Sequence, residues 1–313
     1  MKIEVLNLYE DRKDVTLTAY IQDDSTELAA GKKRPAIIIN PGGAYIMLSD
    51  REAEPVAMRF AGMGFQTFVL RYSVLNGGTN AWPEDAKKLP PKNSRTEYPA
   101  PLLELGKAIL TVRERAEEWF VDKDQIGICG FSAGGHNCTL YASDWWRSVL
   151  TDKLNVQAEE LRPAFCIAGY PFTDWELEYD LLSELDETSA DYYRMMYYDY
   201  FGETDPSVDK MRECSSDRQV TEKTVPSFIW TTAEDKSVDP RHSIRLVNAM
   251  AEYGVPYEFH IFGEGHHGLA LADQSTLQNP DDISDVVAQW IPLVEKWLKK
   301  YVRFGAQRKD KSE

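Results

Sequence analysis

The sequence predicts an α/β fold, with a mostly parallel central sheet flanked by helices and an insertion that forms a cap. Three observations predict it. Short apolar runs alternate along the chain with longer stretches of helical period. The run Ala36-Ile37-Ile38-Ile39 is apolar throughout, as a strand covered on both faces must be. Finally, Gly130-Phe131-Ser132-Ala133-Gly134 forms a tight junction between the strand-like run Gln125-Ile126-Gly127-Ile128-Cys129 and a helix-like segment.

Taken in order, Ile3 to Tyr9 and Val15 to Ile21 alternate with period two, which predicts antiparallel strands leading into the sheet. Ala36 to Ile39 follows as a buried strand. Ser49 with Glu52 has the spacing of a capping box ahead of a helix over Pro55 to Met63, closed by Gly64. Gln66 to Tyr72 is a strand and Pro101 to Trp119 a helix. Then come the strand entering Ser132 and a helix from Gly135 toward Trp146. Pro163 to Tyr170, Pro226 to Thr232 and Pro256 to Phe262 read as three further strands, with helices over about Arg241 to Tyr253 and Ile283 to Tyr301. Regular alternation of this kind gives a doubly wound sheet in one domain spanning 1–313.

Two segments break the rhythm. Residues 73–98 hold Asn76-Gly77-Gly78 and Pro90-Pro91 and read as a long surface loop. Residues 171–224, partly helical and rich in tyrosine, read as the cap. The polar tail from Arg303 to Glu313 is expected to fray.

Composition narrows the function. The 313 residues are 43% hydrophobic and 12% aromatic, enough for a large core. A formal charge of -16, from 51 acidic and 35 basic residues, repels phosphate backbones and anionic lipid, so neither nucleic acid nor membrane is an expected partner. No run reaches the length of a membrane span, and Met1-Lys2-Ile3-Glu4-Val5 does not open a leader peptide, so a cytoplasmic chain is expected. Cys129, Cys138, Cys166 and Cys214 match no zinc spacing and are expected to be free thiols, with no metal or cofactor. A homo-oligomer is the alternative use of the insertion over 171–224, which would then pack aside as a dimerisation surface.

The chemistry centres on Ser132. In a strand-to-helix turn of form G-x-S-x-G, the hydroxyl is pushed clear of the backbone, and the flanking glycines remove side chains that would collide in so sharp a bend. A serine nucleophile needs a base, itself held by an acid. Of the histidines, His136, His242 and His260 fall within or beside predicted elements. His266 and His267 lie in Gly263-Glu264-Gly265-His266-His267-Gly268, just past the last strand, where a base belongs. The preceding strand leads into Ala233-Glu234-Asp235-Lys236-Ser237-Val238-Asp239, which offers three carboxylates; Asp239 before Pro240 has the look of a helix cap. Backbone amides must also face the developing oxyanion. Ala133 supplies one, and the glycine-rich turn Asn40-Pro41-Gly42-Gly43-Ala44-Tyr45 is placed to supply others.

These motifs together resemble the α/β-hydrolase esterases. Asn40-Pro41-Gly42-Gly43-Ala44-Tyr45 resembles their HGGG or PGGGY oxyanion motif and Gly130 to His136 their GxSAGGH elbow. Thr232-Ala233-Glu234-Asp235-Lys236-Ser237-Val238 is similar to their acid loop, and Gly265-His266-His267-Gly268-Leu269 to their histidine loop. The pattern looks like that of the bacterial acetylxylan-esterase and feruloyl-esterase-like branch, related to the hormone-sensitive-lipase group. The resemblance implies Ser132, Asp235 and His267 as catalytic triad and the amides of Gly43, Ala44 and Ala133 as oxyanion hole. Asn40-Pro41 replaces the usual leading His, and Ala44 stands where a third Gly is usual. It further implies a serine carboxylesterase releasing short acyl groups, acetyl first, from a carbohydrate or similar small ester. Tyr45, Trp82 and Trp175 are the aromatic candidates for the substrate wall. A prolyl-oligopeptidase-like peptidase and a non-catalytic binding protein are the alternatives; the first usually carries an access-restricting domain for which this chain has no room, the second usually lacks a triad member.

Overall fold

A computed structural model describes residues 1–77 and 81–303. Among the described residues eight strands form one sheet: β1 Lys2–Tyr9, β2 Arg12–Ile21, β3 Arg34–Asn40, β4 Gln66–Arg71, β5 Val121–Phe131, β6 Cys166–Gly169, β7 Ser227–Thr232 and β8 Tyr257–Phe262. Their order is β1-β2-β4-β3-β5-β6-β7-β8. β1 pairs with β2 and β2 with β4 antiparallel, and every pairing from β4 to β8 is parallel.

Strand β3 shows why the apolar run is continuous. Its residues alternate between two cores: Ala36 and Ile38 enter one, Ile37 and Ile39 the other, all four fully buried. The first core is closed by α2 (Ala100–Glu114) and α3 (Ser132–Asp144), and the second by α1 (Glu54–Gly62) and α11 (Trp290–Leu298). Between them in the chain lie α4 Ser148–Leu154, α5 Ala158–Leu161, α6 Trp175–Leu181, α7 Glu187–Phe201, α8 Val208–Cys214, α9 Ser216–Gln219 and α10 Arg241–Glu252. The four cysteines are free and buried.

Chain direction reverses its winding at β3, which has β4 on one side and β5 on the other. In a doubly wound sheet, the crevice outside the carboxyl ends of strands at such a switch point is where ligands bind. Asn40 and Gly130, the last paired residues of β3 and β5, are in register there. The glycine turn and Ser132 therefore leave the sheet side by side.

Several boundaries differ from expectation. The Pro101 to Trp119 helix stops at Glu114, and the final helix is confined to Trp290–Leu298, preceded by short 3-10 turns. Ser49 and Glu52 do not make a capping box: Ser49 caps nothing with its side chain, and Glu52 turns inward, 3% exposed, to partners far away in sequence. Helix α10 has Pro240 as its cap residue, and the Asp239 carboxylate accepts the N–H of Arg241 at 2.8 Å. Of the expected frayed tail, residues 304–313 lie outside the described residues, as do 78–80 of the loop over 73–98. Residues 81–99 carry no helix or strand and run along α7, held by Tyr192 and Tyr198 hydroxyls on the Pro83 and Pro90 carbonyls, each 2.9 Å. No helix among the described residues is long and apolar enough to cross a membrane.

Candidate active site

Ser132 sits where β5 turns into α3 with φ of 51°, a left-handed conformation that an ordinary side chain adopts only under constraint. The flanking glycines answer to space. A β-carbon on Gly130 would collide with the Gly134 carbonyl, and one on Gly134 with the Asn40 carbonyl, so the elbow closes only with both positions bare.

His267 arrives from the loop after β8. Its Nε2 is 2.8 Å from Ser132 Oγ and its Nδ1 2.7 Å from Asp235 Oδ2. The arrangement is self-consistent with Nδ1–H donating to the carboxylate and Nε2 accepting the serine proton. Asp235 is fixed in turn: its Oδ1 accepts the Ser237 and Val238 N–H groups, both at 2.9 Å, and its side chain is wholly buried. Burial of the imidazole pushes its pKa down, but the Asp235 carboxylate, by charge and by hydrogen bond, together with the charges of Glu52 and Glu178, more than reverses this, and His267 ends above the ordinary histidine value.

The neighbouring candidates have other partners. Asp239 pairs with Arg241 at 2.7 Å, and Glu234 accepts the Gly265 N–H at 3.2 Å. His266 directs Nδ1 at the His267 carbonyl, 2.7 Å, and Nε2 at Asp282, 3.2 Å, away from the serine. His136 and His242 are fully buried in packing positions.

The glycine turn has its carbonyls engaged and its inner amides open. Pro41 O accepts the Tyr72 hydroxyl at 2.7 Å, Gly42 O the Ser49 N–H at 2.9 Å, and Gly43 O the Ile46 and Met47 N–H groups at 3.0 Å. Among the described residues, the N–H groups of Gly43, Ala44 and Ala133 meet no acceptor. All three residues line the cleft that holds Ser132 and His267. Amide donors left open beside a serine are the means by which an oxyanion is held.

That cleft is about 790 Å³ in volume. Of the three aromatics expected on its wall, Trp82 lies there, 48% exposed and edge-on to Tyr192 with ring centres 5.5 Å apart. Tyr45 and Trp175 do not. Both are 0% exposed and stack under the turn, Tyr45 giving its hydroxyl to His136 Nδ1 at 2.6 Å and Trp175 packing against Tyr200. The left-handed φ of 61° at Tyr45 accompanies a ring buried in the core rather than set on the cleft wall. Phe172, Tyr192, Tyr193 and Met196 take the place assigned to them, all supplied by the segment over 171–224.

Sheet order, elbow and histidine loop define an α/β-hydrolase. The chain belongs to the BD-FAE family, whose model matches residues 92–250. It is 28% identical over 258 residues to endo-1,4-beta-xylanase B of Butyrivibrio fibrisolvens, covering 82% of this chain and 35% of that protein. It is 24% identical over 262 residues to an acetylxylan esterase of Xylanibacter ruminicola, covering 83% of this chain and 45% of that one. The chain thus spans less than half the length of these relatives. Among solved structures it is similar to the carboxylesterase Cest-2923 of Lactobacillus plantarum WCFS1, with a TM-score of 0.75, 29% identity, and coverage of 96% of this chain and 98% of the other.

Proposed function

We propose that the chain is a carboxylic ester hydrolase that removes short acyl groups, acetyl above all, from hydroxyls of a carbohydrate or a comparable small ester. The observation that carries this is the continuous line Asp235–His267–Ser132, with contacts of 2.7 and 2.8 Å, beside open amides. Ser132 Oγ attacks the carbonyl carbon while its proton passes to His267 Nε2. Asp235 holds the resulting imidazolium, and the carbonyl oxygen takes the negative charge toward Gly43, Ala44 and Ala133. Collapse of the tetrahedral intermediate breaks the ester C–O bond, and the departing alcohol takes the proton from His267. Water, deprotonated by the same imidazole, then releases the acid and restores Ser132.

Substrate class follows from the cleft wall. Trp82 and Tyr192 offer aromatic faces of the kind on which the C–H faces of sugar rings pack. The similarity to an acetylxylan esterase points the same way, toward acetylated xylo-oligosaccharides. We read the segment over 171–224 as a cap that restricts acyl length, and the buried free thiols as fitting a cytoplasmic enzyme.

The test is turnover of a chromogenic acetate ester by wild type, Ser132→Ala, His267→Ala and His266→Ala, with mass-spectrometric mapping of a fluorophosphonate adduct. Ser132→Ala is expected to keep less than a few per cent of activity, His267→Ala to lose nearly as much, and His266→Ala to lose little. An adduct on another residue, or an active Ser132→Ala, would sink the assignment.

A further inference from the structure

Glu52 is a buried carboxylate, 3% exposed. Burying such a group without a cation is costly unless both oxygens are satisfied. Here both are: Oε2 accepts the Gly42 N–H at 2.7 Å and Oε1 accepts the Tyr170 hydroxyl at 2.7 Å. The Tyr170 oxygen in turn accepts the Ala270 N–H at 2.9 Å, and the Tyr170 ring stands edge-on to the His267 imidazole with centres 4.9 Å apart. A single side chain thus reaches the glycine turn directly and the histidine loop through one phenol.

We infer that Glu52 is a positioning residue that, through Tyr170, holds the oxyanion turn and the histidine loop in register. The inference rests on the esterase reading above. The peptide bond carrying the Gly42 N–H is followed by the one carrying the Gly43 N–H, so anchoring the first leaves only the Gly42 torsions free to misaim the second. On the other side, Ala270 has a left-handed φ of 52°, three residues past His267. The bond from its N–H to Tyr170 holds that strained backbone in place. A neutral side chain of equal length could satisfy one of these two donors but not both in the same way, because an amide presents one acceptor and one donor end.

The experiment compares wild type with Glu52→Gln and Tyr170→Phe, each normalised by fluorophosphonate titration so that kcat is per competent site. Readouts are kcat and KM for a chromogenic acetate and the inhibition constant of phenylboronic acid, a tetrahedral mimic. Loss of register should lower kcat about tenfold or more in both variants, leave KM within twofold, and weaken the boronate in parallel, because misplacement by a fraction of an ångström is felt mainly in the transition state. Retention of kcat within twofold in both, or a rise in KM with kcat intact, overturns the inference. Tyr170→Phe removes one oxygen, so it carries the test even where Glu52→Gln folds poorly. A wild type that neither turns over the ester nor takes the label at Ser132 overturns the esterase reading instead.

Discussion

A β-carbon built on Gly42 would stand 2.8 Å from the Cβ of Ser132, so the glycine turn lies directly against the elbow. The same carbon would be 2.6 Å from the Phe131 carbonyl oxygen and 2.8 Å from Glu52 Oε2. Backbone on one side and an anchored carboxylate on the other leave nothing that can give way cheaply. Gly42→Ala is therefore expected to displace the turn and cut kcat by about 10² to 10³, the loss associated with an oxyanion donor. Overpacking at this site costs about 1–3 kcal/mol, so the variant still folds. Kinetics with a chromogenic acetate together with a thermal melt check this; a folded variant within threefold of wild type refutes it.

The raised pKa of His267 has a definite sign in the rate profile. Burial lowers it, the Asp235 carboxylate with smaller contributions from Glu52 and Glu178 overrides burial, and the net is above the ordinary value of about 6.5. Only neutral imidazole can take the serine proton, so kcat/KM should fall as pH drops through a value above 6.5. Asp235→Asn removes the main raising influence, which moves that limb to lower pH, and turns the imidazole to the wrong tautomer, which lowers the rate by roughly 10⁴. Asp239→Asn should leave the profile in place and cost only about 0.2–1 kcal/mol of stability, because the Asn oxygen still accepts the Arg241 N–H and only the exposed ion pair with Arg241 is lost. Rate profiles of the three proteins decide, and an acid limb that stays put in Asp235→Asn would contradict the account.

How much of this was legible in the chain depends on how local each determinant is. The elbow can be read because its requirement, bare positions two residues either side of Ser132, is met within five residues. The β3 run Ala36 to Ile39 can be read because burial on both faces makes it uniformly apolar, whereas β8 at the sheet edge is half-exposed and carries Glu258 and His260. The acid is less legible: Glu234, Asp235 and Asp239 share one loop, and it is the Ser237 and Val238 amides that seat Asp235. Glu52 carries a local pattern that suggests a cap, yet its partner Tyr170 is 118 residues away. Tyr45 ends the glycine-turn motif and Trp175 lies in the segment read as the cap, and only the packing of α6 and α7 under the turn places both in the core.

His136 should set a pH-dependent part of stability. It is fully buried between the Tyr45 hydroxyl and the Cys214 carbonyl, and burial lowers its pKa to about 4. The unfolded chain binds a proton near 6.5, the folded one only near 4, so this residue removes stability as pH falls across that interval. The effect approaches about 3 kcal/mol at the lower end. In His136→Gln it is absent, so the stability advantage of wild type should shrink by about 2–3 kcal/mol between pH 7 and 4. Urea denaturation of both proteins at the two pH values measures the gap; a gap independent of pH means the imidazole is not held neutral.

The cleft wall yields the sharpest separation of packing from selectivity. Trp82 and Tyr192 meet edge-on at its mouth, while Trp175 is fully enclosed by Phe172, Tyr197, Tyr200 and Phe201. Trp82→Ala removes a ring that is 48% exposed, so its stability cost is small and its effect falls on what the cleft admits. The ratio of kcat/KM for acetate against butyrate and octanoate esters should move toward longer chains in Trp82→Ala and Tyr192→Ala, by roughly tenfold for each ring if it narrows the acyl path by one or two methylenes. Trp175→Ala should instead cost about 3–5 kcal/mol of stability and leave the ratio within twofold. Chain-length series on the three variants beside their denaturation curves separate the two kinds of residue. A selectivity change in Trp175→Ala matched by none in Trp82→Ala would mean that the acyl group lies beneath the glycine turn rather than against α7.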